Sequence, residues 1–599
     1  MLPALVRYAA GGGGHGAATR CEAFGALRAA AAAHPAAVAA MLDDDDSFGF
    51  RSILPAKTFA TSGSDDGADG AARVAQASAK LLAEFLAAVG GGGGGGGTGA
   101  DDDPSHQQRP SHQQRREKAC DEGWSLPPDE LASLWDDVAS SQFPAMTLHP
   151  SPLVRAAGLS AYAGLTADAL AGTSEANRRT LVDVPWATLA NERAPAVRAA
   201  ACRAIGAPAA LTTNESSGSA LRDALEPSVD LLLRAMKDSA KSVRLPASWA
   251  VANVCNTAAR RSSIVSAGAL AKIAESCVAA ATQEGDKVRA NAARALGYLV
   301  SAADFSSEPS SAWLPGVIQA LMSCLTTGNA KVQWNACHAM AALFRNPSTA
   351  AGDSAWSPLV VRMLLMLMRD TRNFKIRMHA AATLATLGER SEFGNAYPDT
   401  VSIVTAALES LETTETETGH SHSQGADGES ALADLRYKPQ LGAQLAATLL
   451  RVLAMGTAED AGSVRDTLLK KRDVIRGAVD AAAAALESFP RGGDGSFPED
   501  PFGNSRDAGT RGEGHDDTAV RGAGSSGPER TSSLDMSTLA RALSPGKGGG
   551  EDDEDDEDDE DREAGEGRAD LMAAAAGLAR MYGALGEDGE ALASHYRGL

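Results

Sequence analysis

Lys331-Val332-Gln333-Trp334-Asn335-Ala336-Cys337-His338-Ala339-Met340 opens with a β-branched residue, places alanine four positions later and a bulky methionine eight positions later. The same opening recurs on either side of it, at Val154, Val197, Val243, Val288 and Ile376, so that six openings fall 43 to 46 residues apart. Arginine follows five of them (Arg155, Arg198, Arg244, Arg289 and Arg377), and Gln333 is the exception. With each opening residue as position zero, position +4 is always small: Gly158, Ala201, Ala247, Ala292, Ala336 and Ala380. Position +8 is always bulky: Tyr162, Ile205, Val251, Leu296, Met340 and Leu384. Position +11 is apolar throughout: Leu165, Pro208, Val254, Leu299, Leu343 and Leu387. These offsets lie in one stripe of a 3.6-residue helix, which makes that stripe the buried face.

A period in the forties with a Val-Arg opening is the signature of stacked two-helix units of the HEAT/armadillo kind. One such unit cannot bury its own face, so neighbours must stack into a continuous core. The expected fold is therefore all-α: a HEAT/armadillo-type α-solenoid, a superhelix of stacked helix pairs, with a disordered acidic C-terminal tail. The first helix of each pair is legible upstream of the openings, in Pro227–Lys237, Ser266–Ala281, Trp313–Leu325 and Ser357–Met368. Asp238, Asp286 and Asp370 precede openings and are placed to pair with the +1 arginines in a ladder along the stack. The competing reading is a solvated turn with screened ion pairs worth under about 1 kcal/mol each.

Residues 1–148 read as an N-terminal helical region with a flexible Gly/Gln-rich insertion at 90–118. Residues 149–412 carry the repeats, 413–430 a polar insert and 431–490 closing helices that shield the last apolar layer. Residues 491–567 read as a disordered acidic tail, and 568–599 hold a short helix that docks or floats. The formal net charge is −22, of which residues 491–567 supply −14, with 22 acidic and 8 basic residues. The folded part is only mildly acidic, which disfavours a broad nucleic-acid surface. Seven cysteines (Cys21, Cys120, Cys202, Cys255, Cys277, Cys324 and Cys337) form no CxxC pair. Their odd count and the absence of a signal peptide point to a reducing compartment, cytoplasmic or nuclear rather than secreted. No apolar run approaches the roughly 20 residues of a membrane span.

The search for chemistry is negative. There is no GxSxG, no HExxH and no glycine loop followed by Lys-Ser or Lys-Thr, and Gly90–Gly97 lacks the lysine a phosphate loop needs. His420 and His422 lie in an acidic, serine-rich loop with no cysteine partner. No catalytic, cofactor-binding or metal-ligating residues are expected, and no enzyme. A binding surface is more promising. Offsets +3, +6 and +10 form one flank of the second helices, which in HEAT arrays line the concave surface. That flank reads Trp249, Asn253, Asn291, Arg294, Tyr298, Asn335, His338 and His379. Aromatic and arginine side chains dominate interface energetics, so the column suits gripping a peptide or helix. The alternative is that the rings pack on the next unit while the asparagines bond neighbouring backbone. The tail likewise has two readings, a solvated spacer or a dock for a basic protein, with Ser532, Ser533, Ser537 and Ser544 as phosphorylation sites that would add negative charge.

Trp334-Asn335-Ala336-Cys337-His338 with Arg345-Asn346-Pro347 after it, Asn373-Phe374-Lys375-Ile376-Arg377, and Asp286-Lys287-Val288-Arg289 leading to Arg294-Ala295-Leu296-Gly297 resemble the HEAT repeat-containing protein 6 family. The stretch Ala194–Gly206 and the Val243-Arg244, Trp249, Asn253 pattern are similar to the same family. The resemblance implies an armadillo-type superhelix preceded by a helical domain, and it implies no enzymatic activity. The 90–118 insertion and the acidic tail depart from it. The expected function is a non-enzymatic protein-binding scaffold or adaptor gripping partner segments on its concave face. A nuclear-transport-receptor-like cargo binder is the alternative. An RNA-associated solenoid would need a basic concave stripe that these few arginines do not supply.

Overall fold

At two of the six openings an asparagine three residues ahead fixes where the second helix starts. Asn329 and Asn373 accept hydrogen bonds from the backbone N–H of Val332 (3.1 Å) and Ile376 (3.2 Å). Each cap satisfies one of the donors that a helix start leaves unpaired, and it sets the β-branched opening residue one turn inside the helix. The computed structural model describes residues 2–11, 15–41, 53–61, 67–90, 125–210, 218–260, 265–417, 428–487 and 557–598, and among these there is no β-strand. Most of the Gly/Gln-rich insertion, part of the polar insert, His420, His422 and the tail serines lie outside the described residues.

In chain order the helices are α1 (Leu2–Ala9), α2 (Ala17–Ala33), α3 (Pro35–Ala39), α4 (Pro55–Thr61), α5 (Gly67–Val89), α6 (Pro128–Asp137), α7 (Phe143–Thr147), α8 (Pro152–Leu159) and α9 (Ala167–Gly172). The repeat pairs follow: α10 (Glu175–Asn191) with α11 (Pro195–Ala210), α12 (Gly218–Met236) with α13 (Lys241–Arg260), α14 (Ala267–Gln283) with α15 (Asp286–Ala302), and α16 (Ser310–Thr327) with α17 (Ala330–Arg345). Next come α18 (Ser357–Asp370), α19 (Phe374–Leu384), α20 (Arg390–Phe393), α21 (Tyr397–Glu417), α22 (Gly428–Ala454), α23 (Ala461–Lys470), α24 (Arg472–Glu487), α25 (Glu557–Ala584) and α26 (Glu590–Arg597). They form two compact units, Met1–Ala342 and Leu343–Leu599. Each is a stack of antiparallel helix pairs, and the fold is all-α of the HEAT/armadillo type.

In the first unit α5 packs on α2 and α8, and the second helices α11, α13 and α15 pack directly on one another. The stripe read from the sequence is the core. All six openings, the +4 alanines and the +8 residues are buried, as are Leu165, Val254, Leu299, Leu343 and Leu387 at +11; the Pro208 side chain lies outside the described residues. Two further columns emerge. Position +7 holds Ala161, Ala204, Ala250, Ala295, Ala339 and Thr383, all buried. Position +9 holds Gly206 and Gly297 in the second and fourth repeats. A Cβ at Gly206 would stand 2.6 Å from the Trp249 ring and 2.8 Å from the Ala250 Cα, and one at Gly297 would stand 3.1 Å from the Ala339 Cα. Successive second helices therefore meet along a seam in which +9 of one repeat lies on +7 of the next.

The ladder is ordered, and its acids are not all those expected. Arg155 holds Glu192 (2.8 and 3.1 Å), Arg198 holds Asp238 (2.8 and 2.9 Å), and Arg244 holds Glu284 (3.0 Å). Each arginine also donates to carbonyls that end its own repeat's first helix or turn, as Arg198 does to Arg193 O (2.6 Å). Each rung thus spans two repeats. Asp286 pairs instead with Arg289 in its own helix (3.3 Å), and Asp370 with the adjacent Arg369 (2.6 Å). The reason is geometric: a +1 arginine reaches the end of the next repeat's first helix, where Glu192, Asp238 and Glu284 stand, while Asp286 already lies inside a second helix and Asp370, at such an end, follows a repeat whose +1 residue is Gln333. At the following rung Arg289 finds Thr327, to whose hydroxyl it donates (2.8 Å). Thr327→Glu is expected to complete that rung and raise the first unit's stability by about 0.5–1 kcal/mol in chemical denaturation. An unchanged or lower midpoint would show that the rungs contribute no more than screened surface pairs.

In the second unit α22 packs against α19, α21 and α25. Arg390 grips Asp460 (2.6 Å) and stacks over the Tyr397 ring (4.1 Å). The C-terminal helix α25 docks. Gly577 lies against the Leu453 carbonyl with no room for a Cβ, Tyr582 Oη donates to Leu468 O (2.8 Å), and Arg451 pairs with Asp570 (3.0 Å). This helix starts at Glu557, within the stretch whose composition reads as unfolded, and α26 folds back on it.

Candidate functional site

The flank of the second helices is built by the seam. Because +9 of one helix sits on +7 of the next, side chains at +3, +6 and +10 project beside the crossing, within reach of the preceding helix. Asn253 Nδ2 donates to Gly206 O (3.0 Å), and its Oδ1 accepts from Arg294 Nη2 (3.0 Å). Asn291 Nδ2 donates to Ser248 Oγ (3.1 Å), and Asn335 Nδ2 to Ala290 O (2.9 Å). The Trp249 ring closes over Gly206. Four of the eight candidates are thus joined to the helix one repeat earlier, and a fifth packs on it. His338 is exposed, with its ring 6.1 Å from that of Trp334, and Tyr298 is half-buried. His379 is half-buried in the second unit and accepts, through its carbonyl, a bond from Thr383 Oγ1 (2.7 Å).

Arg294 is the electrostatic exception. Burial holds its guanidinium below the ordinary arginine pKa, and no carboxylate among the described residues pairs with it. Its Nε is buried without an acceptor. Every other arginine in this row of repeats that is similarly enclosed, from Arg155 to Arg289, has an anion or carbonyls at hand. Burial drives Cys255 far above its usual value and pushes Cys202, Cys277 and Cys337 to about 12, so the nucleophilic thiolate is suppressed. Among the described residues no group of three or more His, Cys, Asp or Glu side chains is arranged to hold a metal ion, and no helix is long and apolar enough to cross a membrane.

No family model matches the chain. An uncharacterised protein of Dictyostelium discoideum is 25% identical over 156 residues, covering 24% of this chain and only 9% of that protein. Among solved structures, Kap95p bound to RanGDP is 13% identical with a TM-score of 0.39, covering 95% of this chain and 62% of that one. A designed armadillo repeat protein is 16% identical (TM-score 0.28, 46% of this chain and 99% of that one). Another, solved with the peptide (KR)4, is 17% identical (TM-score 0.27, 43% and 98%). The fold assignment rests on the helix packing described above.

Proposed function

We propose that the chain is a non-enzymatic scaffold whose first unit binds a segment of a partner protein across Trp249, Arg294 and Tyr298. Arg294 is the observation that supports this reading most directly. A guanidinium withdrawn from water without a counter-charge is costly, and a partner's carboxylate, matched to its planar fork, would offset that cost. Trp249 and Tyr298 flank it with partly exposed rings of the kind that anchor interfaces. The likeness of Trp334-Asn335-Ala336-Cys337 to the HEAT repeat-containing protein 6 family belongs to the same proposal, as does a reducing cytoplasmic or nuclear location, supported by the free thiols of the six described cysteines.

The test is recovery of partners by proximity labelling in cells and by pull-down, using the full chain and its Arg294→Glu and Trp249→Ala variants. Arg294→Glu is expected to cost about 2 kcal/mol or more, roughly a 30-fold loss of affinity, at unchanged helicity. Unchanged recovery from a folded variant would remove the flank as the binding surface. Partners lost only on deletion of residues 491–556 would assign recognition to the tail.

A further inference from the structure

The ladder of +1 arginines has one slot without an acid, and that slot holds a hydroxyl. Arg155, Arg198 and Arg244 meet Glu192, Asp238 and Glu284 at separations of 37, 40 and 40 residues. Arg289 meets Thr327 at a separation of 38, at the same end of the next repeat's first helix. Both Nη groups border that residue: Nη2 donates to Thr327 Oγ1 (2.8 Å) and Nη1 to Thr327 O (3.3 Å). Arg289 is the most enclosed of the four, its side chain 11% exposed against 17–20% for the others. Arg155 and Arg198 each hold both oxygens of their acid. The one carboxylate on Arg289 among the described residues is Asp286, at 3.3 Å, which also complements the start of its own helix. The most enclosed arginine of the ladder thus has its weakest counter-charge.

Thr327 is open to an enzyme. It is exposed, as are Thr326, Asn329, Ala330 and Lys331 around the turn that joins α16 to α17. A phosphate on its hydroxyl carries a charge of about −1.5 to −2 and three strong acceptor oxygens. One bond beyond Oγ1, those oxygens fall within reach of both Nη groups, the geometry that a planar guanidinium favours. An anion at a helix C-terminus works against the dipole. The same arrangement already exists at Glu192 and Glu284, which cap the ends of α10 and α14 beside Arg155 and Arg244. The modification removes the bond from Thr327 Oγ1 to Ser323 O (2.8 Å), a neutral one, and gains charge-assisted ones. Thr326 is the internal comparison: its hydroxyl donates to Met322 O (3.3 Å) and Ser323 O (3.1 Å), and among the described residues no arginine donates to it.

We propose that Thr327 is a phosphorylation site whose phosphate takes the place of the missing acid and locks the fourth repeat to the fifth. In the transfer, Thr327 Oγ1 attacks the terminal phosphorus of a nucleoside triphosphate held by a protein kinase. The nucleoside diphosphate leaves with the electrons of the broken P–O bond, and the hydroxyl proton passes to the kinase's base. Peptide mass spectrometry of the full chain, purified from growing, starved and stressed cells with phosphatases inhibited, is expected to find phosphate on Thr327. Its absence there in every sample, or its confinement to Thr326, overturns the proposal. The full chain made with phosphothreonine genetically encoded at 327 tests the ladder. Its unfolding constant is expected to be about fivefold smaller, or less, than that of the unmodified chain. Arg289→Gln is expected to abolish that gain. Glutamine fits the slot, because Gln333 occupies it in the next repeat and donates to Leu325 O (2.9 Å), as Arg289 Nε does to Ala281 O (3.0 Å). A phosphate that leaves stability unchanged or lowers it, or a gain that survives Arg289→Gln, also overturns the proposal.

Discussion

Gly206→Val is expected to destabilise the first unit by about 2–3 kcal/mol, the cost of forcing extra atoms into a packed crossing. Gly206 meets Ala250 where α11 crosses α13, and the nearest obstacle to a side chain includes the Ala250 backbone, which cannot rotate away. The helices must separate, and two contacts fail together: the Asn253 amide loses its grip on the Gly206 carbonyl, and the Trp249 ring loses the surface on which it lies. Chemical denaturation followed by circular dichroism reads the effect. Gly268→Val is the control, since a side chain there meets nothing within 4 Å and should change stability by no more than a helical glycine replacement usually does. Equal midpoints for the two variants would refute the seam. If the seam also positions Arg294 through Asn253, Gly206→Val should weaken partner recovery even where the protein remains folded.

The repeat itself is plain in the sequence because burial demands bulk at +8 and a branched residue at zero, and both stand out against any background. The seam does not stand out. Its +7 alanines are lost in a chain rich in alanine, and only Gly206 and Gly297 mark it as a close approach. The ladder was legible in its arginines and in Asp238. Glu192 and Glu284 escaped because the partner of a +1 arginine stands about 40 residues downstream, at a helix end that only the stack brings near. The flank shows the same limit. Periodicity places Asn253, Asn291 and Asn335 on one side of their helices but does not reveal that their amides reach across to the preceding helix. At the C-terminus composition leaves open whether the helix read after residue 567 docks or floats; contacts of Gly577 and Tyr582 with residues more than a hundred positions earlier, which no local pattern reveals, hold it in place.

Acid should weaken the first unit through the same ladder. The Arg198 guanidinium holds the Asp238 carboxyl below its usual range, and Arg155 does the same for Glu192. A carboxyl whose pKa is lower folded than unfolded stabilises the fold fully above its unfolded pKa, and that contribution drains away as pH falls through the folded value. The loss therefore falls below about pH 4, where carboxylates ordinarily titrate. Asp238→Asn removes the charge but keeps the shape, and Arg198 retains the Arg193 carbonyl. At pH 7 the substitution is expected to cost about 1–2 kcal/mol, as for a charge-assisted hydrogen-bonded pair that solvent reaches only in part. As pH falls from the unfolded carboxyl's range through the lowered folded value, the wild-type carboxyl takes up a proton, so the difference between the two proteins should shrink progressively. Glu192→Gln should follow the same course. Denaturation of both variants and the parent between pH 7 and pH 3 decides it. A stability difference independent of pH would mean that Asp238 acts as a neutral hydrogen-bond acceptor and that the charges of the ladder contribute nothing to the stack.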